Sequence, residues 1–323
     1  MARLPAFAAV VVLSGVLVGA SCRSKTPTAP VGGAAPQPAA AQAGRPPDSG
    51  FTREEMATLL PGVDTSALTP SQRSDLNDLA NDTFCPCSAM TVAGCVRARK
   101  CPEAVRELEL AGKFLMAGEG EGIALLQVER YYGSFARDQR KDVKAIGPSQ
   151  GDPNAKVTIV EFADYQCPAC REAESQVPEL LEKYPHDVRW VFRNFPLPQH
   201  THSLKAASCA EWAASQSNAD FWKLSPQLFA HQEDLDDANL VKIADSVGLN
   251  GKTMLAAVEQ DPKYLAEVQK DKQTAIDLNL DGTPTFFING RKLDLPPTIE
   301  MLSWTVDDEL DWLAHGGSFS SSK

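Results

Sequence analysis

The sequence predicts an α/β chain with two folded modules: a small all-α cysteine-rich one, then a larger mixed one. Three observations lead there. Residues 156–165, KVTIVEFADY, are rich in β-branched and aromatic side chains and read as a buried strand, and a polar helical pattern opens directly afterwards at Cys167-Pro168-Ala169-Cys170. A block of helical patterns then separates this unit from residues 283–295, where Asn289-Gly290 is a two-residue hairpin signal. Upstream, helical patterns carry a cluster of four cysteines, Cys85, Cys87, Cys95 and Cys101.

The 323 residues suffice for two domains, and their 43% hydrophobic and 23% charged content is that of an ordinary globular chain. A net charge of −11 argues against nucleic acid as a partner, which calls for a basic face. Residues 6–20, AFAAVVVLSGVLVGA, follow Arg3 and are too short for a membrane span of about 20 residues. Residues 1–22 therefore read as an export signal. The small residues before Cys22 resemble a bacterial lipoprotein signal, although Gly19 stands where leucine is usual. That resemblance implies lipidation of Cys22, with simple cleavage or an uncleaved anchor as the alternatives. Arg23, in place of an inner-membrane retention aspartate, implies the outer membrane of a Gram-negative bacterium. Residues 23–50 are Pro/Ala/Gly-rich without periodicity and read as a disordered tether.

The first module spans about 51–140. Thr52-Arg53-Glu54-Glu55 and Thr69-Pro70-Ser71-Gln72 read as capping boxes, the second with proline at the first helical position. Three helices are expected: one carrying Leu76, Leu79 and Ala80, one from Pro102, and one over 123–135. A bundle this small is marginal without staples, and in an exported chain the four cysteines are candidates for them. Four cysteines allow three pairings, which spacing does not resolve. A Cys85–Cys87 bridge would close a tight ring. Structural disulfides, a second redox site and a zinc site are the three readings, the last with atypical spacing. This module also resembles the three-helix domain of CcmH-type cytochrome c maturation proteins, through the cysteine motif, the Gly118–Gly122 break and the ERYYGSF ending. It carries Cys-Pro-Cys where that family has C-x-x-C.

The second module spans about 147–316, with a disordered tail expected over 317–323. Its pattern is strand, helix kinked at Pro178, strand over 187–197, and four helices, the last with Asp261 as N-cap. The hairpin and a closing helix follow. Taken alone, Cys167 and Cys170 could be a redox pair, an inert staple or half of a metal site. EFADYQCPAC followed by DGTPTFFINGR resembles DsbA-type thiol–disulfide oxidoreductases, over about 165 residues and in the family's order. That resemblance implies a thioredoxin fold with an inserted helical subdomain. Cys167 at a helix start is expected to be an acidic thiol, because unpaired amides and the helix dipole favour a thiolate there. It is the expected nucleophile, with Cys170 resolving. The resemblance makes Thr283–Pro284 a cis bond facing the pair, and leaves the Thr283 backbone to bind an extended substrate. Glu161, a charge in an apolar strand, matches the acidic residue beneath the pair; the alternative is a surface-facing position. Asp164 and Tyr165 are placed on the rim, Tyr165 as a substrate contact. Cys209 reads as a buried thiol, and His200 and His202 as loop or cap residues rather than metal ligands.

The expected function is thiol–disulfide exchange with unfolded or partly folded periplasmic proteins, most in keeping with an oxidant. A redox partner must reset the pair, and no cofactor is needed, since two cysteines carry the two electrons. A reductase or isomerase for a narrow client such as apocytochrome c, and a non-catalytic peptide binder, are the rivals.

Overall fold

The computed structural model describes residues 50–99 and 101–319. The signal, Cys22, all but the last residue of the tether, and residues 320–323 lie outside them.

The cysteine-rich module has five helices: α1 (Arg53–Leu59), α2 (Pro70–Asp82), α3 (Val92–Ala98), α4 (Pro102–Met116) and α5 (Glu121–Gly133). Both capping boxes form, Thr52 with Glu55 and Thr69 with Gln72. Two helices exceed the expected three. The short α1 follows from the Thr52 box, and α3 arises inside the cysteine loop because the Thr91 side chain accepts from the Gly94 N–H. The bridges are Cys85–Cys95 and Cys87–Cys101. They tie the end of α2 to α3 and to the start of α4, so the staples hold the turn with the fewest helical bonds.

The second module is a five-stranded sheet in the order β1-β3-β2-β4-β5, built from β1 (Ser149–Gly151), β2 (Val157–Ala163), β3 (Val188–Asn194), β4 (Thr285–Ile288) and β5 (Arg291–Leu293). β2 and β3 run parallel and the other pairs antiparallel. The period-2 pattern of β2 sorts its side chains. Ile159 and Glu161 face one side, and Val160 and Phe162 pack on the other with Val191, Phe287 and Ala275. The expected kinked helix is two helices, α6 (Pro168–Glu174) and α7 (Val177–Lys183), since Pro178 restarts the second in its own first turn. The insertion holds five helices, not four: α8 (Ser203–Gln216), α9 (Asn218–Ala230), α10 (Asp237–Ser246), α11 (Gly251–Gln260) and α12 (Lys263–Asp277). α11 begins on an Asn250 cap. Asp261 ends α11, and Pro262 occupies the N-cap of α12, while Asp261 Oδ1 accepts the Lys263 N–H at 3.0 Å.

The hairpin turns at Asn289 (φ 48°) and Gly290 (φ 83°). A Cβ on Gly290 would lie 2.3 Å from the Lys141 carbonyl, which explains glycine there. The Asn289 side chain also spans to β2, accepting the Thr158 N–H at 2.9 Å.

The closing helix α13 (Ile299–Ala314) joins the modules. Tyr131 donates to Asp308 at 3.0 Å, Arg106 pairs with Asp308, and Arg140 grips Glu309 with both Nη atoms at 2.7 and 3.1 Å. Arg291 is fully buried, its guanidinium 3.7 Å over Phe135 and its Nε 3.6 Å from Glu309. Phe319, within the segment expected to be disordered, packs edge-on against Phe135 at 4.7 Å.

Because these charges are shared between modules, the described body is expected to unfold in one urea transition. Arg291→Ala opens a void beneath Phe135 and leaves Glu309 with Arg140 as its arginine partner; it is expected to cost about 3 kcal/mol, read as a lowered midpoint. Two separated transitions in the parent protein would contradict the shared interface.

Candidate active site

β2 ends at Ala163 and delivers the chain to a turn held by Asp164. This carboxylate is buried and accepts four bonds: from Gln166 N at 2.7 Å, Leu197 N at 2.7 Å, Ser203 Oγ at 2.5 Å and His200 Nδ1 at 2.8 Å. Its backbone carbonyl accepts from Cys167 N, and its N–H approaches Cys170 Sγ at 3.5 Å. Asp164 is therefore not a rim residue: its side chain pins the loop before the cysteines to the α8 entry. Tyr165 is corrected too. It is 1% exposed, stacks on Phe192, and donates its hydroxyl to Ser225 at 3.1 Å, so it offers no surface to a peptide. The apolar helical insertion, invisible from the local motif, is what draws the ring inward.

Cys167 is the N-cap of α6, and Pro168 opens the helix. Its sulfur donates to the Thr283 carbonyl at 3.3 Å, and Thr283–Pro284 is cis. The two distant segments meet as expected. Cys167 keeps 7% exposure and Cys170 none. The Cys167 thiol is lowered to about 5, chiefly because Cys170 donates to its thiolate, then through the Thr283 side chain and the amides of Cys170 and Ala169. The helix start thus contributes, but the partner sulfur contributes more. Burial drives Cys170 the other way, far above an ordinary thiol, and the neighbouring Cys167 and Glu161 add to the rise.

Glu161 is fully buried, which removes the surface-facing alternative. Trp190 Nε1 donates to its Oε2 at 3.2 Å, while Oε1 has no partner among the described residues. Burial and the nearby Glu174 hold its carboxyl well above the usual range. Glu174 is the residue that sequence reading passed over. It sits four residues after Cys170, one helical turn on, and its own Oε1 is buried without a partner among the described residues. Burial raises it to about 8. Its spacing from Cys170 was the available signal. Cys209 is fully buried in α8, its thiol pushed up to about 12 by burial. His200 serves Asp164, a contact that its place in a polar loop did not disclose.

A family model for thioredoxin matches residues 144–308, just over half of the chain. The chain belongs to the thioredoxin family. Na(+)/H(+) antiporter NhaA 1 of Mycobacterium sp. (strain KMS) is 36% identical over 160 residues, covering 46% of this chain and 25% of that protein. The chain thus spans about a quarter of the length of the curated relatives it matches. Among solved structures, BdbD from Bacillus subtilis is 25% identical, covering 53% of this chain and 96% of its own, with a TM-score of 0.48. A thioredoxin-like oxidoreductase from Silicibacter pomeroyi DSS-3 is 29% identical over 53% of this chain and 95% of its own, with a TM-score of 0.46. As a thioredoxin-family chain it has the expected thioredoxin fold, and α8 to α12 form the insertion between β3 and β4.

Two pH dependences follow from the shifts. Alkylation of Cys167 in the reduced protein is expected to rise through pH about 5 and level off before neutrality; a midpoint near that of a free thiol contradicts the site. Glu174 is raised on folding, so the native state binds the extra proton, and stability falls as pH climbs from its unfolded value to about 8. Glu174→Gln is expected to flatten that fall by on the order of 1–2 kcal/mol in urea unfolding at pH 8, with little change at pH 4.

Proposed function

We propose that the chain is an exported thiol–disulfide oxidoreductase that oxidises unfolded or partly folded periplasmic proteins through Cys167 and Cys170. The single observation that carries this reading is the split between the two sulfurs near Pro284, one acidic and 7% exposed, the other fully buried and held protonated. In the oxidised pair a client thiolate attacks Cys167 Sγ. A client–Cys167 disulfide forms, the Cys167–Cys170 bond breaks, and Cys170 leaves and takes a proton. Glu161, with Glu174 behind it, is the buried acid that can hold this proton. The client's second thiolate then attacks its own sulfur in the mixed disulfide, and Cys167 leaves as a stable thiolate. The client loses two electrons and the pair gains them.

Direction follows from the leaving group. Stabilising the Cys167 thiolate stabilises the reduced enzyme, which makes the disulfide the stronger oxidant. A thiol at about 5 falls between the roughly 7 of thioredoxin and the roughly 3.5 of DsbA. Thr283 sits against the Cys167 sulfur, its backbone beside the approach to it, so an extended client strand can pair there as the sulfurs meet. Cys22 tethers the enzyme to the outer membrane in this reading, and a separate redox partner reoxidises the pair.

In Cys170→Ala no pair can form; the Cys167 thiolate attacks a client disulfide, one client sulfur leaves as a thiolate, and clients are expected to stay trapped on Cys167 in cells as disulfides that vanish on adding reductant. Trapping absent from that variant, with the parent still active, would show that Cys167 is not the sulfur that bonds to clients.

A further inference from the structure

Cys101 repeats the local arrangement of Cys167. It stands at a helix N-cap, before a proline, and its side chain makes no capping hydrogen bond; its helix, α4, has 15 residues. A sulfur held in a bridge is uncharged. Once the bridge opens, a Cys101 thiolate meets the unpaired amides and positive end of a long helix. The other sulfur of the bridge differs. Cys87 is exposed, whereas Cys101, Cys95 and Cys85 are 1%, 1% and 5% exposed. Disulfide exchange is fast when the attacked sulfur is accessible and the departing sulfur is acidic, and Cys87–Cys101 assigns these two properties to its two ends. The neighbouring Cys85–Cys95 bridge has neither end open, and it still fastens α3 to the end of α2 if the first is cut. A cleft of about 400 Å³ lined by Leu59, Val96, Val105, Arg106 and Glu109 adjoins Cys101, on the side of the departing sulfur.

We propose that Cys87–Cys101 is a second redox-active disulfide, separate from Cys167–Cys170, that takes two electrons from the dithiol of a polypeptide. A substrate thiolate attacks Cys87 Sγ. The substrate–Cys87 bond forms, the Cys87–Cys101 bond breaks, and Cys101 leaves with the electron pair as a thiolate at the start of α4. The substrate's second thiolate attacks its own sulfur in the mixed disulfide. Cys87 departs and is protonated from solvent. The substrate ends oxidised by two electrons and the bridge reduced by the same two. A substrate disulfide runs each step backwards and recloses the bridge.

The test uses the full chain, equilibrated in graded ratios of reduced to oxidised dithiothreitol, then alkylated, digested and read by mass spectrometry. Circular dichroism follows the helices in parallel. Cys87 and Cys101 are expected to take the label at ratios that leave Cys85–Cys95 closed and the helix signal unchanged. With glutathione as a single thiol, the adduct is expected on Cys87 in at least about tenfold excess over Cys101. The proposal is overturned if both bridges open together, if opening is accompanied by loss of helix, or if the adduct sits on Cys101. Cys167 and Cys170 are read on their own peptide, so any of these results leaves the reading of the first site untouched.

Discussion

Cys170 can give its hydrogen to the Cys167 sulfur only while its own thiol stays protonated, and its complete burial within the cluster formed with the α8 and α9 side chains ensures that it does. That one donation is the largest cause of the acidity at Cys167. The rest of the site is arranged so that it persists. Asp164 fixes the loop before the pair from its backbone and its carboxylate alike, and Thr283 brings its side chain to Cys167. Placing two carboxyls in the dry region beneath a buried thiol limits negative charge there, because burial raises both, and Glu174 adds to the rise at Glu161. A lysine in the same position would favour their ionisation and lower the resolving thiol instead.

The same logic of buried charge explains how two modules become one body. Asp308 and Glu309 are adjacent on α13, fully buried, and meet arginines from different segments: Arg106 from α4, Arg140 from the connector and Arg291 from β5. A buried ion pair adds little net stability over an apolar contact, but it tolerates few alternative arrangements. Here it fixes how the helical module meets the hairpin that carries Pro284 at its start. The module's position relative to the substrate approach is thereby set by groups that lie well away from the sulfurs.

Much of this was legible in the sequence, for reasons that differ by residue. β2 and the hairpin declared themselves because strand composition and the Asn289-Gly290 turn are local signals, and the observed turn has both residues at positive φ. The Cys167–Pro284 meeting was legible only through family resemblance, since no periodicity joins residues so far apart. The errors share a cause. Tyr165 and Asp164 lie beside a motif that faces solvent, yet α8 and α9 pack over them, and which helix covers which loop is a tertiary fact. Glu174 was missed because a polar residue on a polar helix carries no mark of burial. The short helices α1, α3 and α11 are too brief for periodicity to reveal; their caps at Thr52, Thr91 and Asn250 are the signals that remained.

Two cysteines in one chain begin a helix before a proline, and the contrast between them is informative. At Cys167 the neighbouring sulfur on the same helix supplies the hydrogen, so seven residues of helix suffice. At Cys101 the partner sulfur comes from an exposed loop rather than from the same helix, and the 15-residue α4 is the fixed source of stabilisation. A helix end contributes at most about 2 kcal/mol in a partly buried setting, less than a fixed donor within a dry pocket can supply. The two bridges should accordingly open at different poises, Cys167–Cys170 first. An acidic thiolate lowers the cost of reduction by more at the sulfur that is better solvated by its own protein.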